Sequence, residues 1–397
     1  MIKNKRLEKR KQTQERHSKM VCKVFQCKLT KLDKKKEEYL HRLFLEAKYF
    51  YNDIIAADDI YKYDYRNTLC VTKNFVSKTY ECRHLFILSS QMRQGILDRL
   101  KSNVKMLSTK KKKGREDEVG KLKFKSEVNS IPLQQLDATY KLLNNNISLQ
   151  GCKYIFKIKG LKQIPKNAEI CNATLVKKPS GYYIYITTYV EKDYTYKRVK
   201  RGNIGIDLGL RTTATDSFGN EYSWLFEETD VLKKRQAKLA NQKYSSKNWF
   251  KTLKLIKKEY EKIKNRKEDV ANKFINILKK YELVAYQNDN IAGWAKSNMK
   301  GWGRKIQHSI IGRIKSKIKK LVTSVEVDRW TATTKICPCC NIKNDIKLQN
   351  EENLYYECSC GYKEKRDVHS AINILNIALK ATGMDYACGL DPRSQSL

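Results

Sequence analysis

No run of about 18 apolar residues occurs in the chain, so no segment reads as a membrane span. The N-terminus, MIKNKRLEKRKQTQERHSKM, is basic but lacks the apolar stretch of a secretory signal. A cytoplasmic, reducing location is expected, with thiols kept free unless a metal claims them. Acidic residues are scarce: 42 Asp and Glu stand against 82 Lys and Arg, a formal net charge of +40. The basic surplus runs along the whole length rather than sitting in one tail. A field of that size calls for a polyanionic partner, and long nucleic acid is the first expectation. Hydrophobic residues make up 41% of the 397 positions, which excludes a disordered chain and allows two or three domains with cores.

Patterning then divides the chain. Residues 1–20 read as a disordered basic arm. Lys23 to Thr30 reads as a strand. A helix is expected from Lys34 to about Ala57, with Leu40, Phe44, Ala47, Tyr51 and Ile54 on one face. Helical signals continue through SSQMRQGILDRLKSNVKML. The following STKKKKGREDE reads as a loop. From about Ile147 the period changes to two, and GYYIYITTYV is a strand. Residues 21–200 therefore read as a β-rich module with a helical insertion at about 35–140. Beyond the linker EKDYTYKRVKRGN comes IGIDLGLRTTATDSFGNEYS, read as strand, turn and strand, with a hairpin closed at FGN. A long helical region follows from Val231 to Tyr281, then a short strand LVAYQ, a basic helix QHSIIGRIKSKIKKL and a strand SVEVD.

Two features carry chemistry. Cys337 and Cys340 form a C-x2-C pair, and Cys358 and Cys360 a C-x-C pair followed by Gly361. Two such pairs suit one tetrahedral Zn²⁺ with no open position, a structural rather than a catalytic site. Cys339 is a spare beside Cys340. Cys22, Cys27, Cys70, Cys82, Cys152, Cys171 and Cys388 are scattered and read as core or surface thiols. The second feature is a pair of aspartates. Asp207 ends the apolar strand IGID, between the small residues Gly205 and Gly209. Asp367 opens the amphipathic stretch VHSAINILNIALK, where helix N-capping is its ordinary role. Sugar-kinase-like ATPases also end a strand in Asp, but the glycine-rich phosphate loops they need are missing.

The order of these parts resembles the TnpB family of transposon-encoded RNA-guided nucleases and the related miniature type V CRISPR effectors. The stretches that carry the resemblance are GIDLGLRTTATDSFG, YSSKN, IKNRKEDVANKF, LVAYQNDNIAGW, QHSIIGRIKSKI, TTKICPCC and CSCGYKEKRDVHSAINI. It covers about Ile204 to Leu379, and the front half more loosely. The resemblance implies an N-terminal β-barrel holding a helical recognition lobe, then an RNase H-like (RuvC) nuclease with a zinc-binding insertion. The nuclease core would span 201–335, the zinc knuckle 336–362, the last nuclease helix 363–380, and a loose tail 381–397. It further implies a prokaryotic, nucleoid-associated protein, acting as a monomer or an asymmetric dimer. Its partners would be a guide RNA and double-stranded target DNA, with Ser89, Ser90, Gln91 and Arg93 near the DNA.

Three carboxylates would converge on two Mg²⁺ ions, and the knuckle would fix where Asp367 points. The family's second acid is a Glu ending a strand, and alignment puts Gln287 there. Asp289 lies two residues on, where strand alternation returns to the same face. Asp207, Asp289 and Asp367 are thus the expected metal ligands. Three functions remain open: an RNA-guided DNA endonuclease, a nuclease-inactive RNA-guided DNA-binding repressor, and an RNase H-like transposase.

Overall fold

The structure is a computed structural model of the 397-residue chain. It describes residues 2–73, 79–112, 114, 120–191, 201–296, 301–344 and 355–383. The chain divides into two compact units, Met1–Tyr194 and Thr195–Leu397.

In the first unit, α1 (Ile2–Ser18) leads into β1 (Met20–Thr30). The arm expected to be disordered is therefore helical. Its run of Lys, Arg, Glu and Gln, free of Gly and Pro, has high intrinsic helix propensity. Asp33 then caps α2 (Lys34–Ala56), accepting the Lys36 N–H at 2.8 Å. The five residues expected on one face of α2 are all buried. A hairpin of β2 (Leu69–Lys73) and β3 (Tyr80–His84) follows, inside a span expected to be helical. Next comes α3 (Ser90–Lys112). The Lys110–Lys112 run, expected as a loop, forms its last turn, where cations face the negative end of the helix dipole.

The remaining strands are β4 (Ser130–Leu133), β5 (Tyr140–Leu143), β6 (Asn146–Leu149), β7 (Ile155–Lys159), β8 (Glu169–Lys178) and β9 (Gly181–Glu191). So β4 and the start of β5 also fall within the expected helical insertion. Apolar runs this short do not reveal their period. The antiparallel sheet has the order β4-β8-β9-β1-β7-β6-β5. The Tyr140 hydroxyl on the edge strand β5 donates to the Cys171 carbonyl on β8 at 3.0 Å, which brings the sheet close to closure as a barrel. Ile184, Ile186 and Thr188 of β9 alternate into its core.

In the second unit, β10 (Ile204–Asp207), β11 (Ala214–Asp216) and β12 (Glu221–Tyr222) form a meander. Gly219, at φ +89°, turns the chain between β11 and β12. Helices α4 (Asp230–Ala240) and α5 (Lys247–Leu278) follow. Then come β13 (Val284–Gln287), α6 (Ile291–Lys296), α7 (Trp302–His308), α8 (Ile311–Leu321) and β14 (Ser324–Val327). The stretch QHSIIGRIKSKIKKL, expected as one helix, is divided at Ser309 and Ile310. The sheet order is β12-β11-β10-β13-β14, with β10, β13 and β14 parallel. A small hairpin, β15 (Tyr355–Glu357) and β16 (Lys363–Lys365), precedes the last helix, α9 (Arg366–Ala381). Alternation sorts the two faces. Val284 and Tyr286 pack with α5 and α8, whereas Leu283 and Ala285 pack with α9. Most of the tail expected to be loose, from residue 384 on, lies outside the described residues.

Candidate active site and metal centre

The site is organised by one glycine. A Cβ on Gly205 would lie 2.0 Å from the Ala371 carbonyl oxygen and 2.9 Å from the Leu375 Cβ. Only glycine lets α9 lie this close to β10. Asp207 is two residues along the same strand and shares the face of Gly205. Asp367 is four residues before Ala371 and shares its helical face. The contact that needs Gly205 therefore brings Asp367 beside Asp207.

The electrostatics follow from that approach. The Asp207 carboxyl is pushed up to about 7, first by burial and then by the negative charges of Asp367 and Asp289. Arg366 and the Leu208 backbone N–H pull in the other direction. Arg366 also donates to Asp367 Oδ1, from Nε at 3.3 Å and Nη2 at 3.1 Å. Asp367 is not the N-cap of α9. That position is Lys365, and no side chain caps the helix.

Asp289 reaches the cluster by another route than strand alternation. β13 ends at Gln287, and Asp289 sits in the loop before α6. Lys315 of α8 ties this loop down, donating to Asn288 Oδ1 at 2.5 Å and to the Asp289 carbonyl at 2.6 Å. Burial raises the Asp289 carboxyl, and Lys315 opposes it. Gln287 is on the face that α9 covers, but its side chain is taken up elsewhere. Its Nε2 donates to the carbonyls of Asp328 at 3.2 Å, Arg329 at 3.4 Å and Thr331 at 3.0 Å. Its Oε1 accepts from the Thr333 hydroxyl at 3.3 Å.

The second centre is the cysteine cluster. The sulfurs of Cys337, Cys340, Cys358 and Cys360 all lie within 4.8 Å of one another and could hold a metal ion. Cys337 and Cys360 sulfurs are 3.6 Å apart, and those of Cys340 and Cys358 3.5 Å. Ligands about 2.3 Å from a tetrahedral ion stand about 3.7 Å apart, so the spacing fits. Cys339 is outside the group. Each pair is followed by a residue at positive φ, Asn341 at 57° and Gly361 at 90°, which turns the chain back toward the partner pair. The Cys360 backbone N–H lowers the Cys358 thiol to about 6, while burial pushes Cys337 up to about 12. A bound cation would have to displace the Cys337 proton.

Sequence reasoning missed the clamp that joins this centre to α9. The buried His369 imidazole stacks on Tyr356 of β15, with ring centroids 3.8 Å apart and planes 11° apart. Asn373, one turn further, donates to the Thr333 and Ile336 carbonyls, both at 2.7 Å. The Ser370 hydroxyl donates to Thr333 Oγ1 at 3.1 Å, and Thr333 in turn meets Gln287. His369 and Asn373 are one turn apart in VHSAIN, a spacing that could have marked a shared face.

The four residues expected near DNA are in the first unit. Ser89 precedes α3, and its hydroxyl accepts the Met92 N–H at 3.3 Å. Ser90 is exposed. Gln91 accepts from the Thr139 hydroxyl at 2.8 Å. Arg93 is turned inward and only 7% exposed. It donates to the carbonyls of Leu88 at 2.7 Å, Tyr65 at 2.9 Å and Arg66 at 3.4 Å. In this arrangement it braces the insertion.

Comparison with known proteins adds a frame. Residues 185–298 match the family model described as a probable transposase (OrfB_IS605), and residues 308–374 match the Cas12f1-like TNB domain. No curated protein matches the chain. Among solved structures, a Cas12f1–sgRNA–target DNA complex aligns at 12% identity and a TM-score of 0.48. That alignment covers 90% of this chain and 99% of the other. A CRISPR–Cas12f ternary complex aligns at 14% identity and a TM-score of 0.31, covering 87% and 86%. The two family matches follow one another along the chain and take in Asp207, Asp289, Asp367 and all four clustered cysteines. Across those two segments the chain is similar to the OrfB_IS605 probable transposases and to the Cas12f1-like TNB domain.

Proposed function

We propose that this protein is an RNA-guided DNA endonuclease with an RNase H-like site built from Asp207, Asp289 and Asp367. The observation that carries the reading is the contact of α9 on Gly205, which sets Asp367 against Asp207 on one sheet face. Three carboxylates gathered beside one strand end repel each other, and divalent cations relieve that repulsion. Among the described residues, the three are not drawn within the 4.8 Å that embraces the cysteine sulfurs. Two bound Mg²⁺ ions would supply an activated water and stabilise the leaving oxygen of a phosphodiester.

The protein's own residues have distinct tasks in this reading. Asp207 and Asp367 hold the ions from strand and helix, and Arg366 orients Asp367. Asp289 supplies the third carboxylate, in place of an acid at Gln287. Cys337, Cys340, Cys358 and Cys360 would hold a structural Zn²⁺ and so keep the β15–β16 hairpin folded. Through the His369–Tyr356 stack, that hairpin sets the start of α9. The formal charge of +40 and the two family-model matches support a guide RNA and target DNA as partners. Base pairing would read the target sequence.

A second reading, an RNA-guided repressor without cleavage, is favoured by one observation: the amide at Gln287 is committed to three carbonyls. The test is cleavage of guide-matched DNA in Mg²⁺ by protein carrying the RNA with which it copurifies. Asp207→Asn and Asp289→Asn should each cut more than about 100-fold more slowly while still binding RNA. Outer-shell partners of a metal already cost about 10- to 100-fold when lost, and a direct ligand costs more. Wild-type protein that binds matched DNA but never cuts it would establish the repressor instead.

A further inference from the structure

Helix α1 has few apolar side chains with which to pack, so what fixes its C-terminal end must be polar. That end lies on the outer face of the barrel. The His17 ring stacks on Tyr189, with centroids 3.7 Å apart and planes 8° apart. Glu169 of β8 is the registered partner of Tyr189, and Tyr189 is the registered partner of Cys22 of β1. Glu169, Tyr189 and Cys22 therefore form one row across three strands and share a face. Just after Ile170, the β8 register shifts. Ile170 faces Thr188 and Ala173 faces Ile186, so two residues, Cys171 and Asn172, oppose one. Such a bulge re-aims a side chain. Here the Cys171 sulfur lies within 4.8 Å of the ligand atoms of both His17 and Glu169.

We propose that His17, Glu169 and Cys171 form a second metal site, one that takes a thiophilic divalent cation of the Zn²⁺ type. One imidazole, one carboxylate and one thiolate from three separate segments are the donor types such an ion takes. The spacing agrees. His17 Nε2 and Glu169 Oε1 are 3.1 Å apart, and ligands about 2.0–2.1 Å from a tetrahedral ion stand about 3.3 Å apart. Water takes the fourth position, since the His17 and Glu169 side chains are 17% and 32% exposed. Arg16 Nη2 also reaches Glu169 Oε1, at 2.8 Å, and is displaced to solvent when the ion binds. The thiol and imidazole protons leave with binding, so affinity rises with pH. The ion would pin the basic helix α1 to β8, from residue 17 to residue 169.

The test is a Zn²⁺ titration of metal-stripped full-length protein against a chromophoric chelator. Wild type should take two equivalents. Cys171→Ser and His17→Ala should each bind one of them at least tenfold more weakly, with the far-ultraviolet dichroism unchanged. Cys358→Ser should lose the knuckle equivalent and retain the other, and Cys171→Ser/Cys358→Ser should lose both. Retention in Cys358→Ser of one equivalent sensitive to His17→Ala supports the site even where the knuckle collapses. A single equivalent abolished by Cys358→Ser, or two equivalents indifferent to Cys171→Ser and His17→Ala, would show His17, Glu169 and Cys171 to be a hydrogen-bonded trio only.

Discussion

At Gln287 the chain carries an amide where an acid was expected, and the amide has work that an acid cannot do. Its N–H groups bridge carbonyls of the loop after β14; those of Asp328 and Thr331 also accept the backbone N–H groups of Thr331 and Thr333. Gln287→Glu replaces that donor with a negative charge beside three acceptors. We expect a loss of about 0.5–1.5 kcal/mol, the net worth of a hydrogen bond, and no gain in cleavage. Thermal denaturation and a cleavage assay of the same variant would check both. Nothing in the sequence announces this role, because Asp328, Arg329 and Thr331 follow more than 40 residues later. The cysteine cluster was legible, since two short spacings near one another already make a tetrahedral set. The buried setting of Arg93 was not legible. Its family position suggested DNA, and only the folded chain reveals the carbonyls of Tyr65, Arg66 and Leu88 around it.

At the scale of elements, α9 is the part on which the second unit turns. It packs on β10 at Gly205, and it joins the knuckle through His369. Gly205→Ala puts a methyl group against a backbone carbonyl, which cannot rotate away, so the helix must shift. Overpacking of this kind costs about 1–3 kcal/mol. For a unit of this size that is a fall in Tm of roughly 2–12 °C. The shift also moves Asp367, and cleavage should fall further than the stability loss explains. His369→Ala is the complementary test. It removes a buried aromatic pair worth about 0.5–1.5 kcal/mol beyond area burial. Zinc content should stay at the wild-type level while cleavage drops, because the knuckle survives but no longer sets the helix. Periodicity was enough to find α2, α9 and the long strands, whose apolar repeats are many turns long. It did not find α1 as a helix, the β2–β3 hairpin or β4. Propensity alone makes the first, and four- or five-residue strands show too little of their period for the others.

At the scale of the molecule, the basic surplus belongs to both units. Lysines crowd α3 of the first, and α5 and α8 of the second. Only part of this charge is neutralised within the chain. Glu268, for instance, accepts from both Arg313 and Lys317, at 2.9 and 2.5 Å, and Glu259 from both Arg235 and Lys262. Even if every one of the 42 acidic residues offset one cation, 40 of the 82 basic residues would be left without a countercharge. A folded chain with so many uncompensated cations repels itself, and a polyanion relieves the repulsion as it binds. RNA binding should therefore release counterions, and log affinity should fall linearly with log salt. If 6–10 phosphates are neutralised, affinity should fall about 10³- to 10⁵-fold between 50 and 200 mM salt. Asp207→Asn and Asp289→Asn should keep this slope, because they alter the metal site and not the cations that meet phosphate. Filter binding of the copurified RNA across salt concentrations would measure it. A slope near zero would mean that the charge serves some purpose other than holding nucleic acid.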